Sequence, residues 1–258
     1  MDTVVSQDGT TIAFDRAGNG PAVVLINAGP TDRNVHAQLA SLLAARFTVF
    51  NYDRRGRGDS GDTAPYGVDR EYEDLQAVID AAGGSAYVFG NSGGGILAVE
   101  AAARGVAITK LALWEPPYIL DGTRPPAPED YKERLTELLA AGRRGDMVEL
   151  FLTTAVGLPA EFVAPLRQSP FFPSMEAVAH TLVYDATIVG DFSLPTARIA
   201  TIKVPTVVID GGETPWLSAA AEAVADALPD AQRRTVEGQP HNFDAAALAP
   251  VVSDFFKG

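Results

Sequence analysis

Along much of the chain, short apolar runs alternate with stretches in which apolar residues recur every three or four positions. The runs at 11–16, 22–27, 47–53, 86–91, 108–115 and 206–211 read as strands, and one more strand is expected at 232–236. The periodic stretches at 35–45, 70–82, 94–104, 219–228 and 245–256 read as helices. Strands that alternate with helices in this way predict an α/β fold, a mostly parallel, doubly wound sheet with helices on both faces.

The rhythm changes after residue 115. A proline-rich link, "EPPYILDGTRPPAPEDY", leads into helical patterns such as "DYKERLTELLAAG" and "DMVELFLTTAV" with no strand between them. This predicts a helical insert, or cap, over residues 116–202, set into a core made of 1–115 and 203–258. Its helices would lie over the carboxyl edge of the sheet, where open α/β sheets bind ligands.

Composition narrows the function. The chain has 258 residues, 47% of them hydrophobic and 21% charged, which suits one large globular unit. A formal net charge of -13 would repel phosphate backbones and anionic lipid, so neither nucleic acid nor membrane is expected as a partner. With no cysteine, disulfides, thiolate metal sites and thiol nucleophiles are excluded. The opening "MDTVVSQDGT" has an acid where a signal peptide has bases, and no apolar window reaches the length of a membrane span. A cytoplasmic protein is the expectation.

The candidate chemistry begins at Gly90-Asn91-Ser92-Gly93-Gly94, which fits G-x-S-x-G between an expected strand and an expected helix. So tight a strand-to-helix turn strains the serine and exposes its Oγ at the sheet edge. Of the three histidines, His241 follows the last strand pattern and precedes the last helix. His36 falls in the first long helix and His180 in the insert, where packing or surface roles are expected. The histidines are far apart and none sits in H-E-x-x-H, so no metal site is expected. Gly56 to Gly61 also satisfies G-x-G-x-x-G, but Pro65 and Gly67 interrupt the helix that a dinucleotide fingerprint would open.

Taken with "VVLINAGP" and "FNYDRRGRGDS", these motifs resemble the α/β-hydrolase-fold enzymes over essentially the whole chain. The resemblance implies Ser92 as nucleophile and His241 as base, with backbone N–H groups of Gly29 and Gly93 as the oxyanion hole. It departs from the family pattern at Asn27-Ala28, where the family has His-Gly, and at Thr214, where the commonest pattern has the acid. Some members take the acid from the strand after the nucleophile helix, which here ends in Glu115. A glutamate between a buried strand and Pro116-Pro117 would be costly to leave unpaired. Glu115 is therefore the preferred acid, with Asp210 and Glu213 as alternatives. Within the same resemblance, Asp53, Arg54 and Arg55 are expected to form a structural charge network near the pocket floor.

Trp114, Tyr118, Phe171, Phe172, Met175, Tyr184 and Trp216 lie on or beside the insert and are candidates for lining a substrate pocket, though at least half of such residues turn out to be packing. The expected activity is a serine hydrolase acting on a small apolar carboxylic ester or lactone, with no cofactor. The acid position is similar to that of lactonases of this fold, including those that open zearalenone, but the insert has no tryptophan and that substrate is not carried over. Two other readings stay open: a lyase, cyclase or acyltransferase of the same fold, and a receptor-like binding protein. Formation of a homo-oligomer is also left open.

Overall fold

The computed structural model describes residues 1–258. Eight strands form one sheet: β1 (Asp2–Val5), β2 (Thr11–Ala17), β3 (Ala22–Ile26), β4 (Thr48–Tyr52), β5 (Ala86–Asn91), β6 (Ile108–Trp114), β7 (Thr206–Gly212) and β8 (Ala231–Gln239). Their order is β1-β2-β4-β3-β5-β6-β7-β8. β1 and β2 run antiparallel at one edge, and every pairing from β4 across to β8 is parallel.

The unbroken apolar strands follow from this topology, because a parallel sheet is covered on both faces. Val24 and Ile26 of β3 pack with Leu75, Val78 and Ile96 on one face, while Val23 and Leu25 pack with Leu39, Leu43 and Leu248 on the other. Successive side chains of one strand thus feed two separate cores. β1, absent from the sequence-based expectation, is short and largely exposed, and exists because the β2 edge offers free backbone groups to pair with. β8 is polar and exposed over most of its length, as suits an edge strand. The helix Pro215–Ala227 begins four residues earlier than the apolar period suggests, because Pro215 fits the first helical turn, where its missing N–H costs nothing.

Between β6 and β7 the chain forms no strand. Its helices bury a cluster of their own, around Leu135, Met147, Val148 and Leu182. The stretch read as one amphipathic helix at 146–156 is an α-helix, Arg144–Leu150, that widens into a π-helix, Phe151–Val156. Thr153 Oγ1 donates back to the carbonyl of Glu149 at 2.8 Å, one way a helix opens locally. No helix is long and apolar enough to cross a membrane.

The "DRRGRGDS" segment ties these parts together with buried charge. Arg54 meets Glu71 through two hydrogen bonds, of 2.6 and 3.0 Å, and reaches Asp185 of the helix Leu182–Val189 at 2.8 Å. Arg55 meets Asp74 at 2.7 and 2.8 Å and Asp8 at 3.0 Å. Asp53 pairs with Arg33, and its carboxylate also accepts from the backbone N–H of Asp59 at 2.9 Å. Gly56 N–H bonds to the carbonyl of Gly61, closing the loop on itself, and the next helix starts only at Val68, so the glycines do not open a helix.

Losing one partner of a buried pair leaves a charge without compensation, whereas replacing both with apolar groups does not. Asp74→Ala should cost about 3 kcal/mol or more in denaturant unfolding, and Arg55→Met with Asp74→Leu should recover only part of that loss, because Asp8 then loses its own partner. A cost below about 1 kcal/mol for Asp74→Ala would show that the pair contributes little.

His36 is buried beside the rings of Phe89 and Phe243, at centroid distances of 5.6 and 6.3 Å. Burial pushes its imidazole down from 6.5 to about 4. The unfolded chain therefore takes up a proton through that window while the folded protein resists it, so stability is complete above about pH 6.5 and falls on acidification. Between pH 7 and pH 4 the wild type should lose about 3 kcal/mol more than His36→Phe does. Parallel pH profiles for the two would contradict this assignment.

Candidate active site

Ser92 sits between β5 and the helix Gly93–Ala103 with φ 52 and ψ -130, a left-handed conformation that a residue with a Cβ adopts only under constraint. Its N–H donates to the carbonyl of Trp114 at 2.8 Å, and its carbonyl accepts from Gly95 N–H at 2.9 Å. The flanking glycines make the turn possible. A Cβ on Gly90 would stand 2.6 Å from the carbonyl oxygen of Gly94, and one on Gly94 would stand 2.7 Å from that of Ile26.

Glu115 follows β6 directly and also has a positive φ, of 42. Its N–H bonds to the carbonyl of Ile209 at 2.9 Å, which holds it against the neighbouring β7. The side chain is buried, with Oε1 accepting from Gly211 N–H at 2.9 Å and Oε2 lying 2.7 Å from His241 Nδ1. The histidine comes from the loop after β8. Trp114 Nε1 donates to its carbonyl at 2.9 Å, so β6 grips that residue by both backbone and ring. Gly211 lets the end of β8, and with it the loop that follows, come this close, since a Cβ there would meet the carbonyl oxygen of Gln239 at 1.8 Å.

The other acidic candidates lie elsewhere. Asp210 is buried and taken up by Ser218 at 2.8 Å, Arg233 at 2.9 Å and Thr235 at 3.2 Å, which brace β7 to its neighbours. Glu213 is exposed, and Thr214 is the N-cap residue of the helix Pro215–Ala227.

Ser92, His241, Gly29 and Gly93 line one cavity of about 280 Å³. Gly93 N–H opens a helix, where it has no partner within the helix. Gly29, at φ 61, lies in a loop that Asn27 braces by donating Nδ2–H to the carbonyl of Thr31 at 2.8 Å. Larger surface depressions, around Arg143, around Tyr72 and around Lys110, contain none of Ser92, Glu115 and His241.

Of the seven expected pocket residues, only Trp216 lines this cavity. Trp114 and Tyr118 are buried in the two sheet cores, drawn there by the apolar surface they cover. Phe172 and Met175 pack in the cluster formed by the helices between β6 and β7. Tyr184 stacks on Tyr66 at 3.8 Å and donates to Asp62 at 2.9 Å, and Phe171 is 75% exposed.

The lining also includes Tyr131, Phe151, Asp185, Val189 and Phe192, which sequence reasoning missed. A signal existed for Asp185, an acid in the otherwise apolar run "TLVYDATIVG". Ser92, Glu115 and Phe192 are the non-glycine residues with positive φ, and each lines or touches this site.

Residues 23–252 match the alpha/beta hydrolase family. An alpha/beta hydrolase from Sphaerobacter thermophilus is 54% identical, with a TM-score of 0.95 over 99% of this chain and 100% of that one. The enol-lactonase from Burkholderia xenovorans shares the fold, with 24% identity and a TM-score of 0.75 over 100% of each chain. The uncharacterized hydrolase YraK of Bacillus subtilis is 30% identical over 96 residues, 36% of this chain and 35% of that protein, so the match spans about a third of that relative's length. With a family match running from β3 into the last helix, the chain belongs to the alpha/beta hydrolase family.

Proposed function

We propose that the protein is a serine hydrolase that cleaves a carboxylic ester or lactone through an acyl-enzyme on Ser92. The observation that carries this reading is the 2.7 Å contact of Glu115 with His241 Nδ1, beside a cavity that His241 shares with Ser92. A carboxylate only accepts, so Nδ1 carries the ring proton and the lone pair of Nε2 is free to take the proton of Ser92. Oγ then attacks the substrate carbonyl, and Glu115 stabilises the imidazolium. The developing oxyanion is held by the N–H groups of Gly29 and Gly93, each worth about 3 kcal/mol to such a transition state. His241 returns the proton to the leaving alkoxide, activates a water in turn, and the acid product leaves with Ser92 regenerated.

The apolar wall of Phe151, Leu158, Val189 and Phe192 supports an apolar acyl group. Lactone substrates are brought in by the fold likeness to an enol-lactonase, together with the position of Glu115 after β6. Residues 116–202 form a cap in this reading, closing the site with the π-helix Phe151–Val156 and the helix Leu182–Val189.

On p-nitrophenyl esters of short and medium acids, Ser92→Ala and Glu115→Gln should each lower kcat/KM by about a thousandfold or more, while Asp210→Asn should not. Turnover that survives in Ser92→Ala would remove the acyl-enzyme. For the lactone arm, a panel of aliphatic and enol lactones followed by pH-stat should give at least one that opens, and no opening of any would confine the activity to esters.

A further inference from the structure

One group in the cavity is left without the partner its chemistry requires. Asp185 lines the cavity at 8% exposure, and its Oδ1 accepts from Arg54 Nη1 and from Arg57 Nη2, both at 2.8 Å. Its Oδ2 is buried with no hydrogen-bond partner. A buried carboxylate oxygen normally has one, and leaving it bare is costly. The arginines behind it fix the carboxylate in place, and its unpartnered oxygen belongs to a residue of the cavity wall.

Tyr131 lines the same cavity. Burial, with the charge of Asp185 adding to it, holds the Tyr131 phenol well above its usual range, which keeps it a neutral donor and acceptor. The helix Leu182–Val189 gives the spacing. A Cβ on Gly93 would stand 4.0 Å from Val189 Cγ1, so Val189 packs over the end of the helix next to Ser92. Asp185 is four residues earlier on the same helical face, about 6 Å along the axis.

We infer that Asp185, assisted by Tyr131, is a specificity determinant that selects acyl groups bearing a hydroxyl about five or six bonds from the scissile carbonyl. This rests on the serine hydrolase reading for which carbonyl is cut, but the donor site itself stands on Asp185. A neutral donor fits better than a charge. Arg54 and Arg57 already balance Glu71 and Asp185, and Arg57 does not line the cavity, so a substrate carboxylate would meet the carboxylate of Asp185 first.

The test uses three uncleaved six-carbon esters on Ser92→Ala protein: methyl hexanoate, methyl 6-hydroxyhexanoate and the monomethyl ester of adipic acid. Binding is read by tryptophan fluorescence, since Trp216 lines the cavity. The hydroxy ester should bind about tenfold more tightly than methyl hexanoate, the effect of one added hydrogen bond to a charged acceptor. Tyr131→Phe and Asp185→Asn, each added to Ser92→Ala, should bring that ratio toward one. If Asp185→Asn does not fold because Arg54 and Arg57 lose their partner, the Tyr131→Phe ratio decides. Equal affinities for the hydroxy and plain esters, or tighter binding of the adipate ester, would overturn the inference. Hydrolysis of the same esters by the wild type is followed separately. A retained tenfold binding ratio with no cleavage would sink the serine hydrolase reading and leave the donor site standing.

Discussion

A carboxylate buried at the end of β6 must be paired, and the site is built around satisfying Glu115. Its two oxygens find Gly211 N–H and His241 Nδ1, which belong to the next strand and to the loop beyond β8. These contacts join elements far apart in sequence at one point above the carboxyl edge of the sheet. The register of β6 on β7, where Trp114 faces Ile209, sets that point. The close approach at Gly211 and the grip of Trp114 on the His241 carbonyl then leave the histidine little freedom to turn away. Preorganisation of this kind places the ring before any substrate arrives, and a charge-stabilising partner is worth most where water is excluded.

A second layer of buried charge governs how the segment between β6 and β7 sits on the sheet. Arg54 and Arg57, from the loop after β4, both reach Asp185 on the helix Leu182–Val189. An isolated buried charge cannot be tolerated, so the helix is held in the one position where Asp185 is compensated. That same position lays Val189 near Gly93 and puts Asp185, with one oxygen unpartnered, in the cavity wall. Stability and selectivity therefore share one carboxylate. Leaving that oxygen unpaired is costly, and a hydroxyl donated to it would relieve the cost.

Strain marks the same region. Glu115 and Ser92 hold left-handed backbone conformations, each constrained by hydrogen bonds to neighbouring strands, and Phe192 does so in the cavity wall. The π-helix Phe151–Val156 adds a local widening directly over Gly29, where the Phe151 ring comes within 3.1 Å of where a Cβ would be. Departures from regular geometry of this kind persist only where packing over-determines them.

The sequence by itself determined the parallel core, because strands buried on both faces must be continuously apolar and helices must repeat every three or four residues. It also determined the elbow around Ser92, since Gly90 and Gly94 are the residues that so close a turn admits, and it narrowed the candidate acids to three carboxylates. It did not show β1, whose four residues carry too little apolar signal, nor the start of the helix at Pro215, where capping outweighs periodicity. Only the tertiary structure decided that Glu115 faces His241 while Asp210 serves Arg233 and Ser218, because that choice depends on how three strand ends lie side by side. Trp216 apart, the aromatic and acidic wall of the cavity was likewise illegible. Aromatic character says that a side chain wants to be buried but not against what, and so Trp114 and Tyr118 fill the cores while Tyr131 and Asp185 reach the cavity.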